Sequence, residues 1–134
     1  MNTEGLTLFA FKISCGFPSP ADDHIERKLK LDQHLIEHPT ATFFVRVSGN
    51  SMREAGIFPG DLLVVDRSLN PVNGSIIVAV VDGELTIKSF YRKDNKVYLV
   101  PANTEYKTIE ICDPNRLYCW GVVTYNIHDV RKLQ

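Results

Sequence analysis

The chain has little cysteine, no long apolar run and no excess of charge, and each shortage excludes a class of protein. Cys15, Cys112 and Cys119 are the three cysteines in 134 residues, an odd number with no CxxC pair and no zinc-type spacing to the four histidines. Neither a disulfide framework nor a structural metal is expected, which suits a reducing cytoplasm, and no cofactor motif is present. The stretch Leu6-Thr7-Leu8-Phe9-Ala10-Phe11 is apolar but short, and Lys12 interrupts it. It cannot span a bilayer and lacks the basic start of a secretion signal, so a cytoplasmic protein without a membrane anchor is expected. Fifteen Lys and Arg against sixteen Asp and Glu give a net charge of -1, with one basic cluster at Arg27-Lys28-Leu29-Lys30. Phosphate binding needs clustered positive charge, so direct nucleic-acid binding is not expected, although a protein partner that binds DNA remains compatible. No internal repeat or low-complexity tract occurs, and the length accommodates one globular domain with a moderate core.

What the chain does have is a regular series of strand signals. From Thr42 onward the apolar runs are short, β-branched or aromatic, and Gly, Pro, Asn or Asp divides them at intervals of about eight to twelve residues, which predicts a mainly β fold. Strands are expected near 43–47, 61–66, 75–81, 84–91, 96–100 and 118–127, with Asp82-Gly83 as a hairpin turn and Arg92-Lys93-Asp94-Asn95 as a polar hairpin loop. Residues 101–117 read as loop around the strand-like Thr108-Ile109-Glu110-Ile111. Upstream, Asp32 is positioned to cap a short helix running to Glu37, with Leu31 and Ile36 as a hydrophobic staple and Pro39 as its stop. His34 and His38 stand four apart, but with no third ligand in recognisable relation they read as surface histidines flanking the helix end. Residues 1–24, with Pro18, Pro20, Asp22 and Asp23, predict an extended arm, and 25–134 the folded domain. Leu6, Leu8 and Phe9 could dock as a short strand on the domain or on a neighbouring subunit.

Two residues carry candidate chemistry. In Ser48-Gly49-Asn50-Ser51-Met52, a glycine two residues before a serine allows a sharp turn with Ser51 at its tip. Ser51 is a candidate nucleophile, or it only caps the turn. In Glu84-Leu85-Thr86-Ile87-Lys88-Ser89-Phe90, strict alternation puts Thr86, Lys88 and Phe90 on one face. Lys88 could be partly desolvated there, or be a solvated strand lysine whose stem covers apolar surface.

These segments resemble the serine/lysine self-cleaving proteins of the LexA/UmuD family (peptidase S24). The resemblance rests on Ser48-Gly49-Asn50-Ser51-Met52, Gly60-Asp61-Leu62-Leu63-Val64-Val65-Asp66 and Asp82-Gly83-Glu84-Leu85-Thr86-Ile87-Lys88, in that order and spacing. Cys15-Gly16-Phe17-Pro18-Ser19-Pro20-Ala21 is similar to the UmuD-type cleavage segment, and Trp120-Gly121-Val122-Val123 to the closing strand. The resemblance implies a curled, largely antiparallel β-fold with one short helix and an extended N-terminal arm. It implies Ser51 as nucleophile, Lys88 as general base and the backbone N–H groups of Asn50 and Ser51 as oxyanion hole, with cleavage between Cys15 and Gly16. Asn50 stands where the family commonly carries Asp or Met, and Ser75 where an Asp commonly follows the glycine; Asn50 would act through its main chain, so neither change alters the chemistry. No histidine among His24, His34, His38 and His128 sits in a triad motif.

The implied function is that of a UmuD-type protein of the SOS response. Such a protein cleaves its own arm when stimulated by a RecA filament on single-stranded DNA, and then serves as accessory subunit of a UmuC-like Y-family translesion polymerase. No N-terminal helix-turn-helix of the repressors is expected. A non-catalytic dimeric adaptor with a vestigial Ser/Lys pair is the alternative. Homodimerisation is expected in either case, through an exposed edge of the apolar strand from Tyr118 to Ile127.

Overall fold

The computed structural model describes residues 5–9, 13, 15–16 and 26–132. The chain divides into two units, Met1–Glu37 and His38–Gln134.

In the first unit, β1 (Leu6–Phe9) pairs antiparallel with β2 (Glu26–Leu29), Leu6 facing Leu29 and Phe9 facing Glu26. The apolar stretch in the arm therefore finds its strand partner within its own chain. Helix α1 (Leu31–Leu35) follows, and it begins two residues earlier than the sequence predicts. Lys30 is its N-cap and makes no side-chain cap bond, so Asp32 lies inside the first turn instead of capping it, a position where negative charge is favourable. Ile36 is the C-cap, its N–H donating to the Asp32 carbonyl at 2.9 Å, and it cannot staple the N-terminus to Leu31. Most of the expected cleavage segment, including residues 17–20, lies outside the described residues; Cys15 and Gly16 are described, and both are exposed.

The second unit is one antiparallel sheet of seven strands: β3 (Thr42–Arg46), β4 (Leu62–Asp66), β5 (Ile76–Val81), β6 (Glu84–Lys93), β7 (Lys96–Val100), β8 (Ile109–Ile111) and β9 (Leu117–Ile127). Their spatial order is β3-β4-β9-β5-β6-β7-β8. Asp82 and Gly83 both take positive φ, as do Asp94 and Asn95. Two-residue turns of this kind match the right-handed twist of a hairpin, so β6 runs on to Lys93 before turning.

The last strand crosses the chain to lie at the sheet's centre, between β4 and β5, with its backbone paired on both sides. This corrects the expectation of an exposed strand edge there. Pairing of β9 skips Thr124 on the β4 side and Trp120 on the β5 side, and two bulges on one strand bend and twist the sheet. Trp120 reaches the ring of Phe43 edge-on, centroids 6.1 Å apart. Gly121 sits beside the bulge where the backbones close in: a Cβ there would lie 2.8 Å from Val65 Cγ1 and 3.0 Å from the Asp66 carbonyl oxygen.

β4 and β5 are apolar in continuous runs because they are covered on both sides. Val47, Met52, Ile57, Leu63, Val65 and Val78 form one core cluster, and Ile77, Ala79, Val81, Phe90, Leu99 and Ile111 the other. The first holds the Ser51 turn in place through Met52.

Candidate active site

Beyond β3 the chain leaves the sheet but stays tied to it. Val47 N–H donates to the Asp61 carbonyl at 2.9 Å, and Gly60 N–H to the Val47 carbonyl at 2.8 Å. Between these ties Gly49 takes φ 85°, a left-handed conformation that side chains disfavour, and the chain reverses. Met52, 2% exposed, plugs the turn into the first core cluster, and a single 3-10 turn, Arg53–Ala55, completes it. Ser51 is thus half-buried on a backbone anchored from both sides.

Lys88 projects from the middle of β6 towards this turn. It is 8% exposed, and its Nζ lies 3.1 Å from Ser51 Oγ, 2.6 Å from Thr86 Oγ1 and 3.1 Å from the Ile87 carbonyl oxygen. The structure therefore selects the desolvated lysine over the solvated one. Burial is what pushes the Lys88 ammonium below its ordinary value of 10.5. No Lys88 ion pair to a carboxylate occurs among the described residues, so nothing restores the charged form.

The three partners can take the three N–H donors of an ammonium, and they can equally be satisfied by a neutral amine with two N–H donors and one lone pair. In the neutral amine the Ile87 carbonyl can only accept, and the Thr86 hydroxyl can take the second N–H. The lone pair then faces Ser51, whose O–H can donate to it. In that state the pair is set for proton transfer from Ser51 Oγ to Lys88 Nζ. A cavity of about 150 Å³ opens beside Ser51, its wall mixing Val45, Val47, Leu85 and Ile87 with Arg46, Ser48 and Thr86. Among the described residues the backbone N–H groups of Asn50 and Ser51 make no backbone hydrogen bond.

Cys15 and Gly16 belong to the first unit and are exposed there. The histidines stand elsewhere. His38 Nδ1 is 2.6 Å from Asp66 Oδ2, and His128 Nδ1 is 2.5 Å from Asp61 Oδ1. His38 is thus tied to a buried aspartate and not merely a surface flank of the helix. His24 lies outside the described residues. No cluster of three or more His, Cys, Asp or Glu side chains able to hold a metal ion occurs among the described residues, and no described helix is long and apolar enough to cross a membrane.

Sequence reasoning missed two features around the site. Asp61 and Asp66 read only as strand residues, yet both are buried carboxylates with histidine partners. The segment 101–105 read only as loop, yet Asn103 Nδ2 donates to the Asn50 carbonyl at 2.8 Å. The one available signal was Asn103 itself, an asparagine of the sort whose side chain bridges turns.

A buried lysine hydrogen-bonded to a serine on a glycine turn, set in a curled antiparallel sheet, defines a serine/lysine peptidase fold. Residues 7–124 match the Peptidase S24-like family, and the chain belongs to that family. It is 44% identical to Protein SamA of Salmonella typhimurium over 124 residues, covering 92% of this chain and 86% of that protein. It is 44% identical to Protein ImpA of Escherichia coli over 128 residues, covering 95% and 86%. To Protein MucA of Escherichia coli it is 42% identical over 117 residues, covering 87% and 80%.

Proposed function

We propose that this protein is a UmuD-type self-cleaving serine peptidase of the SOS response. The observation that carries the reading is the 3.1 Å approach of Lys88 Nζ to Ser51 Oγ in a pocket that disfavours the ammonium. Membership of a peptidase family, and identity to ImpA and MucA over most of the chain, support it.

Neutral Lys88 takes the Ser51 proton as Ser51 Oγ attacks the Cys15 carbonyl carbon. The carbonyl oxygen becomes an oxyanion, which the N–H groups of Asn50 and Ser51 stabilise without any side-chain charge. Collapse breaks the bond from Cys15 carbon to Gly16 nitrogen, and the Lys88 ammonium returns its proton to the leaving amine. Water, activated by the again neutral Lys88, then hydrolyses the Ser51 ester and releases residues 1–15 from residues 16–134. Because substrate and site share a chain, the effective concentration of the bond is very high, and the rate is set by how often the arm is docked.

A RecA filament on single-stranded DNA would accelerate cleavage by favouring the docked arrangement, which is a population shift and needs no catalytic group from the filament. The processed protein would then act as a homodimer with a UmuC-like Y-family polymerase. The test is cleavage at neutral pH with RecA, single-stranded DNA and a nucleotide that holds the filament together. The filament is expected to accelerate cleavage, and single-stranded DNA alone is not. An equal rate with and without the filament would contradict the SOS reading.

A further inference from the structure

The loop that follows β7 is fastened to the Ser51 turn at three points. Asn103 Nδ2 donates to the Asn50 carbonyl at 2.8 Å, Glu54 N–H donates to the Ala102 carbonyl at 2.6 Å, and Thr104 N–H donates to Glu54 Oε2 at 3.0 Å. The side-chain amide of Asn103 has only one orientation that fits. Its Oδ1 accepts the Glu105 N–H at 2.9 Å, which leaves Nδ2 facing the turn. The Tyr106 N–H closes the loop on the Asn103 carbonyl at 3.1 Å.

The Asn50 carbonyl and the Ser51 N–H belong to the same peptide group. In a trans peptide they point in opposite directions, and the plane rotates as a unit. A donor that pins the carbonyl on one side therefore aims the N–H to the other. The Arg53 N–H also reaches the Asn50 carbonyl, at 3.2 Å, but it belongs to the same turn and would move with it. Asn103 is the external anchor, half-buried and held by its own loop.

We infer that Asn103 is a positioning residue that locks the Asn50–Ser51 peptide plane so that the Ser51 N–H faces the oxyanion, with the 101–105 loop as its support. This rests on the self-cleavage reading and adds a residue to it. An oxyanion donor is effective only when aimed in advance, and losing one costs about a hundred to a thousand fold in rate in other hydrolases. Asn103 acts through the Asn50 carbonyl and is not itself an oxyanion donor, so its loss should cost part of that.

The experiment measures self-cleavage of the full chain against pH for the parent, Ser51→Ala, Asn103→Asp and Asn103→Ala. Asn103→Asp keeps the acceptor for Glu105 but sets an oxygen against the Asn50 carbonyl; Asn103→Ala removes both contacts. The expected result is a rate about ten to a hundred fold below the parent for both variants, and lower for Asp than for Ala at neutral pH. The midpoint of the rate rise with pH should stay where the parent has it, because Lys88 is untouched. A variant that merely loosened the pocket would hydrate Lys88 and move that midpoint upward. The amide resonance of Ser51 should shift in Asn103→Ala, a readout that needs only the folded protein. Parental rates in both variants, or a rate loss wholly explained by a raised midpoint, would overturn the positioning role while leaving self-cleavage intact. A parent as inert as Ser51→Ala would instead overturn the self-cleavage reading, and the role of Asn103 with it.

Discussion

At the scale of single residues, the chemistry turns on an amine whose charge is unwelcome. Lys88 has hydroxyl and carbonyl partners and no counter-ion among the described residues, and burial holds its ammonium below the ordinary value of 10.5. Self-cleavage should rise with pH as the fraction of neutral Lys88 grows and level off above its lowered pKa, before the ordinary value of 10.5 is reached. The linked stability has a definite sign. An unfolded lysine binds its proton more tightly than the buried one, so the destabilisation from Lys88 is present below the folded pKa and relieved as pH rises towards 10.5. Lys88→Arg should be inactive throughout, since guanidinium keeps its proton. Cleavage at the parental rate in that variant would end the general-base role. Ser51→Ala should abolish cleavage with an unchanged unfolding midpoint, because only a hydroxyl on an anchored turn is removed; circular dichroism and a cleavage time course check both halves.

At the scale of elements, β9 is the structural keystone and its two bulges set the curl. Gly121→Ala should destabilise the protein by about 1–3 kcal/mol, because the new methyl meets Val65 and the Asp66 backbone on a strand that pairs on both sides. Urea unfolding measures this. The start of β4 is tied to the end of β9 through Asp61. Burial raises the pKa of that carboxyl, but hydrogen bonds from His128, the Phe58 N–H and Asn126 together outweigh burial and hold it below 3.8. A lowered carboxylate contributes stability that is full above its unfolded value and lost as pH falls through its folded one. Asp61→Asn should therefore cost about 2 kcal/mol at neutral pH, and the difference from the parent should shrink below pH 3.8.

Much of this element pattern was legible in the sequence. Alternation placed Thr86 and Lys88 on one face of β6, and turn chemistry placed Gly49 and Asp82-Gly83 where the chain reverses. Strand order was not legible. Nothing local in Tyr118 to Ile127 says that its partners are β4 and β5, because pairing between strands so far apart in the chain leaves no periodic mark on either strand. The Asn103 contact and the two His–Asp pairs escaped for the same reason, since each joins single side chains far apart in the chain.

At the scale of the whole molecule, the proposed dimer must use something other than the backbone edge of β9. Tyr118, Trp120, Tyr125 and Ile127 are nonetheless exposed along that strand, and Phe44 on β3, so apolar surface is offered by side chains. Sedimentation equilibrium at micromolar concentration should give about twice the mass of one 15.2 kDa chain, and a single-chain mass would rule out the dimer under those conditions.

The central claim is that the chain cuts itself with Ser51 and Lys88. Its most direct test is to incubate the purified full chain at mildly alkaline pH, alongside Ser51→Ala, and to weigh the products over time by mass spectrometry. Two products corresponding to residues 1–15 and 16–134, formed faster as pH rises and absent from Ser51→Ala, are the predicted result. An intact 15.2 kDa chain at every pH, or the same products from Ser51→Ala, would contradict it.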